Sequence, residues 1–477
     1  MYCLRSKPSG RGAKLCALRS VLTANQADTV LTVNGGRRIA GAVATQGFKH
    51  SLVTVVAAAL AGQAPVSVAN CPDVSETQVL AGLVNALGGR AHLYGRTLVV
   101  DGSGVATAAL DPDLASRIHG SVYLVPALLG RFGAGWIPNA GGCRIGNDPG
   151  GGRPVEQYAD VFRRFGAMVE PSPIGGLDVT ADRLTGCRID LLDYTADRRL
   201  RSGPLYSGAT KTALLTAAVA HGTTVLRHPY PKPDVTDLVD VLRGLGADID
   251  VASPEQIVVH GRGPDVLRTP LSHTLVPDLI EVVTWICAGA VLGSAPLRVT
   301  GRGMARATRA LAPEFAAFEQ LGLRIDLQAD AVVAHPAEGL KPIDLVVGSH
   351  GVFSDSQPFL ALLAAHATGR STVTDTVWAN RFGYLDGLRT LGVDAQLNRR
   401  SLRLTGPWTP SAAERAIHAT DLRAAAVLLL AALATPGTTR VSGTDHLVRG
   451  YADLPGRLRA LGADVAAEPA KPVEEGN

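Results

Sequence analysis

A unit made of a helix, a Leu-Gly-Ala phrase or a near variant, and a short strand occurs six times along the 477 residues, and no other feature limits the possible folds so sharply. The phrases are VNALGGRAHL around Gly88, FRRFGAMVE around Gly166, LRGLGADIDV around Gly246, FEQLGLRIDL around Gly322, LRTLGVDAQL around Gly392 and LRALGADVAA around Gly462. Their spacing of about 70 to 80 residues is too long for a solenoid and suits a small βαβαββ unit. Each unit also opens with a second helix, apolar and Ala-rich, closed by Gly before a strand, as in SLVTVVAAALAG-QAPVSVAN, TALLTAAVAHG-TTVLRH, FLALLAAHATG-RSTVTD and AAAVLLLAALATPG-TTRVSG. The Gly after the last turn predicts a left-handed cap. Helices that are apolar nearly all round must be buried inside a ring rather than lie on a surface. Three units closing around three such helices make one domain, so six units predict an α/β fold of two domains.

Composition narrows the function. The chain is 46% apolar but only 5% aromatic, with 53 Gly, which favours closely packed helices and sheets over a sandwich. Its net charge of +4 comes from scattered basic residues, which excludes a nucleic-acid stripe or a membrane-surface helix. No apolar run reaches the roughly 18 residues of a membrane span. The six cysteines are far apart, without a CxxC pair, so neither a zinc site nor a disulfide framework is expected, and a reduced, cytoplasmic setting fits. No metal or organic cofactor is indicated. Residues 1–28 lack the apolar core of a secretory signal; they and residues 466–477 read as disordered.

The densest polar clusters stand at the starts of the six apolar helices: GFKHS (47–51), RIHGS (117–121), LYSGATK (205–211), VPDLIE (276–281), FSDSQ (353–357) and ATDLR (419–423). If these starts converge on one cleft, six positive dipole ends favour a multiply anionic ligand. The plain alternative is that Asp278, Asp355 and Asp421 cap helices.

These clusters, together with GGCRIG (141–146), RPVEQY (153–158), ANRF (379–382) and HLVRGY (446–451), resemble UDP-N-acetylglucosamine 1-carboxyvinyltransferase, in a wider family with 5-enolpyruvylshikimate-3-phosphate synthase. The resemblance runs from about Leu31 to Gly462. It implies an inside-out α/β barrel of two domains built from six repeats: residues 29–47 with 277–465, and residues 48–276. The active site would lie in the cleft between them. Phosphoenolpyruvate and a uridine nucleotide would be the substrates, with no nucleic-acid or membrane partner. Matching family positions assign the phosphate to Lys49, Arg153 and Arg449, and the carboxylate to Arg381 and Arg423. Arg forks suit planar anions, and Lys49 is one of only seven lysines. Catalysis would fall to Asp355 as base, with Lys49 and Asp421 in the same cleft. Cys143 would protonate or capture the enolpyruvyl group and react with fosfomycin. The acceptor would meet His50, His119, Glu156, Ser207, Gly208, Asp355 and Val377.

Departures from the family pattern concentrate on the acceptor side. An expected Asn is His50, an Arg is His119, a Lys aligns with Pro204 and another Arg with Leu279; about six residues, NDPGGG, are inserted before Arg153. The phosphoenolpyruvate groups are kept, so an altered acceptor is expected. The pattern resembles the enolpyruvyl transferases of peptidyl-nucleoside antibiotic pathways, which use the 3′-hydroxyl of UMP. UDP-N-acetylglucosamine is the alternative acceptor, and a catalytically silent nucleotide-binding paralogue the alternative of another class.

Overall fold

A computed structural model of the chain describes residues 29–139, 141, 145–146 and 152–469. The expectations for residues 1–28, for Cys143 and for the end of the tail lie outside the described residues, as does most of the loop insertion.

Six sheets are present among the described residues, and five repeat one pattern. Leu271–Thr274 runs parallel to Pro65–Ala69, which pairs antiparallel with Thr97–Asp101, itself in a hairpin with Arg90–Tyr94. The same order recurs from Arg188–Asp190 through His221–Arg227 and Gln256–Arg262 to Ile249–Ser253. It recurs again from Ile39–Ala44 through Gly293–Thr300, and from Asp344–Val347 through Gly369–Asp375. In the fifth case the N-terminal strand Thr29–Gly35 fills the antiparallel slot between Gly437–Ser442 and Asp464–Pro469. That pairing reaches Pro469, so residues 466–469 belong to the sheet and not to a disordered tail. The sixth sheet has three strands, Ala134–Ile137, Leu177–Thr180 and Met168–Pro171.

The glycine of every Leu-Gly-Ala phrase takes a positive φ: 96°, 91°, 117°, 84°, 94° and 110° at Gly88, Gly166, Gly246, Gly322, Gly392 and Gly462. Each turns its helix into a hairpin strand through a conformation that costs other residues steric strain.

The apolar helices are Lys49–Ala61 (α1), Val125–Phe132 (α2, entered through a 3₁₀ turn at His119–Leu124), Tyr206–Val219 (α3), Leu279–Leu292 (α4), Gln357–His366 (α5) and Leu422–Ala434 (α6). The helices α1, α2 and α3 touch one another, as do α4, α5 and α6. Only α2 ends in a left-handed glycine, Gly133 at φ 66°; the four helices for which such a cap was expected, α1, α3, α5 and α6, do not. Gly62, after α1, is extended at φ −74°, and Gly222, Gly369 and Gly437 take positive φ only in the following strands. The reason is close approach. Glycines at strand ends press on the helix ends, and a Cβ at Gly35, Gly261 or Gly406 would lie 1.9, 2.5 or 2.2 Å from the carbonyl oxygen of Thr435, Ala220 or Ala367.

Two separate apolar cores result. One runs from Leu52 to Leu275; the other joins Leu31, Val33, Ile39, Val43 and Phe48 to residues from Val276 to Val465. The chain passes between them twice, and the two crossings lie side by side. Phe48 N donates to Val276 O at 2.8 Å and Asp278 N to Gln46 O at 2.7 Å. A Cβ at Gly47 would sit 2.0 Å from Asn70 O, which leaves room there for Gly alone.

Candidate active site

A cavity opens between the two cores, walled by the starts of α1, α3, α5 and α6 and the 3₁₀ entry to α2. Lys49, His50, His119, Arg153, Ser207, Gly208, Asp355, Val377, Arg381, Arg423 and Arg449, all picked out from the sequence, lie in its wall. Glu156, Asp421 and Leu279 do not. Glu156 is exposed and accepts from Val155 N at 3.0 Å, while its neighbour Gln157 is buried and faces the cavity. Cys143 lies outside the described residues.

The three aspartates that look alike in sequence separate here. Asp278 and Asp421 cap α4 and α6, each accepting from two backbone N–H groups of the first turn. Asp355 caps nothing. Its Oδ1 accepts from Arg381 at 2.5 Å and from Arg423 Nε at 2.8 Å. Burial would raise this carboxyl, but the two guanidinium groups outweigh it and hold Asp355 well below the usual carboxylate range. Arg423 is itself oriented by Tyr451 (3.1 Å), whose hydroxyl meets Thr284 at 2.9 Å. Arg381 donates Nε to Ser354 O at 3.2 Å. Asp375 supports the next turn by accepting from Val377 N, Trp378 N and Ser354 Oγ.

A second cation cluster forms around Glu76, which the sequence did not single out. Lys49 Nζ lies 3.3 Å and Arg449 3.8 Å from its carboxylate. Against the upward pull of burial, Lys49 and then Arg449 hold Glu76 low. Glu76 sits in the first turn of the helix Ser75–Ala86, where an acidic residue reads as ordinary helix complementarity. Arg153 stacks on Trp378, 5.7 Å from the ring centre.

The remaining wall is largely aromatic, with the ion pair of Lys211 and Asp234 set into it. His119 Nε2 meets Tyr158 Oη at 2.9 Å, and Tyr123 packs edge-on against the Tyr158 ring. Burial, reinforced by Arg153 and Lys211, keeps His119 well below its ordinary value. Gly208 is required by the same ring, since a Cβ there would lie 2.9 Å from Tyr158 Oη. Burial pushes His50 down to about 4, with Asp355 opposing and Lys49 assisting. Folded His50 is therefore neutral where an unfolded His, near 6.5, takes up a proton. Stability should fall as pH drops from about 6.5 towards 4. His50→Asn should remove a contribution of about 1–3 kcal/mol, so its melting temperatures at pH 4.5 and 7.5 should differ less than those of the wild type. An unchanged gap would place the acid sensitivity elsewhere.

Burial raises the thiols of Cys71 and Cys187 to about 12 and about 11 and that of Cys287 further, so none of these three is a ready nucleophile. Among the described residues no group of His, Cys, Asp and Glu could hold a metal ion, and no helix is long and apolar enough to cross a membrane.

Residues 33–458 match the family model described as EPSP synthase (3-phosphoshikimate 1-carboxyvinyltransferase). The chain belongs to the EPSP synthase family. It is an enolpyruvyl transferase, and the donor of the enolpyruvyl group in this family is phosphoenolpyruvate. The transferase is 30% identical to UDP-N-acetylglucosamine 1-carboxyvinyltransferase 2 of Geobacillus kaustophilus, an alignment covering 92% of this chain and 96% of that one. It is 51% identical to the enolpyruvyl transferase NikO from Streptomyces tendae, with a TM-score of 0.88 over 93% of this chain and 100% of that one. EPSP synthase from Acinetobacter baumannii, 16% identical with a TM-score of 0.71, covers 92% of the transferase and 100% of its own length and shares its two-domain α/β fold.

Proposed function

We propose that this transferase moves the enolpyruvyl group of phosphoenolpyruvate to a hydroxyl of a uridine nucleotide, the 3′-hydroxyl of UMP, with release of phosphate. The acceptor hydroxyl adds to C2 of phosphoenolpyruvate as C3 takes a proton, giving a tetrahedral ketal. Elimination of phosphate and loss of a C3 proton restore the vinyl group. In this reading Asp355 accepts the hydroxyl proton, Arg381 and Arg423 grip the substrate carboxylate, and Lys49, Arg153 and Arg449 grip the phosphate. Cys143 is assigned the proton donor or covalent role at the enolpyruvyl group. The free Asp355 carboxylate is a weak base because both arginines face it. A bound substrate carboxylate would share them and raise its basicity at the moment it is needed.

The observation that carries the acceptor assignment is the contrast within one cavity. Arg381 and Arg423 meet at Asp355, and Lys49 and Arg449 at Glu76, whereas the wall also holds the uncharged His119, Tyr158 and Pro204, and its other lysine, Lys211, is neutralised by Asp234. A diphosphate-sugar needs cations there, and a monophosphate needs fewer. Identity of 51% to NikO against 30% to a UDP-N-acetylglucosamine enzyme is consistent with a changed acceptor. The latter's name over nearly the full length keeps UDP-N-acetylglucosamine as the second reading. For the architecture, the two cores and three-helix groups support two inside-out barrels of three βαβαββ-type repeats, residues 29–47 with 277–465 and residues 48–276, although Phe48 and Val276 pack in the core of the first barrel.

The test supplies phosphoenolpyruvate with UMP or with UDP-N-acetylglucosamine and follows phosphate release and the mass of the product. Enolpyruvyl-UMP is the expected product. Product from UDP-N-acetylglucosamine alone overturns the acceptor assignment, and no phosphate with either nucleotide favours a catalytically silent paralogue.

A further inference from the structure

Lys211 and Asp234 form an ion pair in the cavity wall that none of the assignments above uses. Lys211 Nζ lies 2.9 Å from Asp234 Oδ2, and the two residues are 6% and 4% exposed. Lys211 interrupts α3, whose inner turns are otherwise Ala, Leu, Thr and Val, and Asp234 opens the helix Pro233–Leu245. Packing does not call for this pair. Taking two charges out of water is costly, and apolar residues of equal volume hold such a position at least as well.

The pair is also incompletely satisfied. Asp234 Oδ1 is buried and has no hydrogen-bond partner among the described residues. An ammonium carries three donors, and one is spent on Asp234 Oδ2 while the charge rests 5.0 Å from the centre of the Tyr123 ring. A spare acceptor next to a spare donor is the complement of a hydroxyl group, which gives one hydrogen bond and receives another. A phosphate or carboxylate fits less well, because Asp234 cancels the lysine charge and would face the anion with its own oxygen. The position is also apt. His50 stands within electrostatic reach of both Asp355 and the Lys211–Asp234 pair, and His119 and Tyr158 continue the wall beyond it.

We propose that Lys211 and Asp234 hold the acceptor hydroxyl next to the one attacked, which for a ribose attacked at its 3′-oxygen is the 2′-hydroxyl. This rests on the uridine nucleotide reading, and it makes the transferase selective for a ribonucleotide over its 2′-deoxy counterpart.

The experiment measures kcat/KM for UMP and 2′-deoxy-UMP at saturating phosphoenolpyruvate, in the wild type, in Asp234→Asn and in the double variant K211M/D234L. The double variant removes both charges together and so leaves no buried ion unpaired. The wild type should prefer UMP by about 10- to 100-fold, the range for one hydrogen bond to a charged group. The double variant should bring that ratio within about threefold of unity, and Asp234→Asn should lower it. The KM for phosphoenolpyruvate should stay within about twofold. A folded double variant that keeps the wild-type preference overturns the proposal, as does a wild type that uses both nucleotides equally well. A purely structural pair would lower the melting temperature and leave the ratio alone. If the wild type does not use UMP at all, the acceptor reading fails and this inference fails with it, and the wild-type assay alone distinguishes that case.

Discussion

Replacing Asp355 with Asn is expected to lower kcat by about 10²–10⁴, the range for a lost general base, while phosphoenolpyruvate binds as well as before or better. Asparagine keeps the shape, and its carbonyl oxygen can still receive Arg381 and Arg423, which converge on Asp355 Oδ1 at 2.5 and 2.8 Å. What it cannot do is take up a proton. It also removes the negative charge that competes with the substrate carboxylate for both arginines. Calorimetric titration with phosphoenolpyruvate and phosphate-release kinetics separate the two effects. A fall in kcat of less than tenfold would assign the base elsewhere, and a lost affinity for phosphoenolpyruvate would make Asp355 a structural anchor.

Arg423→Met should be the most damaging change among the cations. Arg423 is 3% exposed and makes the hydrogen bond to Tyr451 as well as the ion pair with Asp355. Removing it should cut kcat/KM for phosphoenolpyruvate by about 10²–10³ through loss of a charge-assisted grip. It should also destabilise the protein by about 1–2 kcal/mol, because a half-buried carboxylate loses one of its two charged partners. Adding Asp355→Asn should restore part of that stability and none of the activity. The pH dependence gives an independent check. A carboxyl held low in the folded state contributes stability above its unfolded pKa, and this is lost as pH falls through the folded value. With Arg423 gone that contribution shrinks, so urea midpoints should fall less between pH 5 and 3 in the variant than in the wild type. Equal slopes would mean that Arg381 alone holds Asp355 low.

Much of the fold was legible because its determinants are local. The six turn glycines are set by backbone conformation, and the apolar helices announce their burial by lacking a polar face. The ends of those helices were misread because the glycines that matter, Gly35, Gly261 and Gly406, belong to strands distant in sequence. In the site, recurrence and motif resemblance located Lys49, Asp355, Arg381, Arg423 and Arg449, which the structure gathers into one wall. The resemblance named Asp355 as base but left Asp421 in the same cleft, and recurrence alone could not separate them, since both precede a buried helix and only the approach of two arginines distinguishes a paired carboxylate from a cap. Glu156 and Gln157 differ by one residue, about 100° around a helix, and a small error in phase selects the wrong one. Glu76 and Asp234 were missed because an acidic residue in a first helical turn needs no function to explain it.

The paired crossings at Gln46–Phe48 and Val276–Asp278 have a mechanical consequence. A single tether would let one half wander and spin relative to the other. Two strands pinned together behave as a door hinge, which allows swing about one line and resists sliding or torsion. Any approach of the rim bearing Lys49 to the rim bearing Asp355 would then follow one arc, and a molecule that drew them together would meet the same alignment of charges every time.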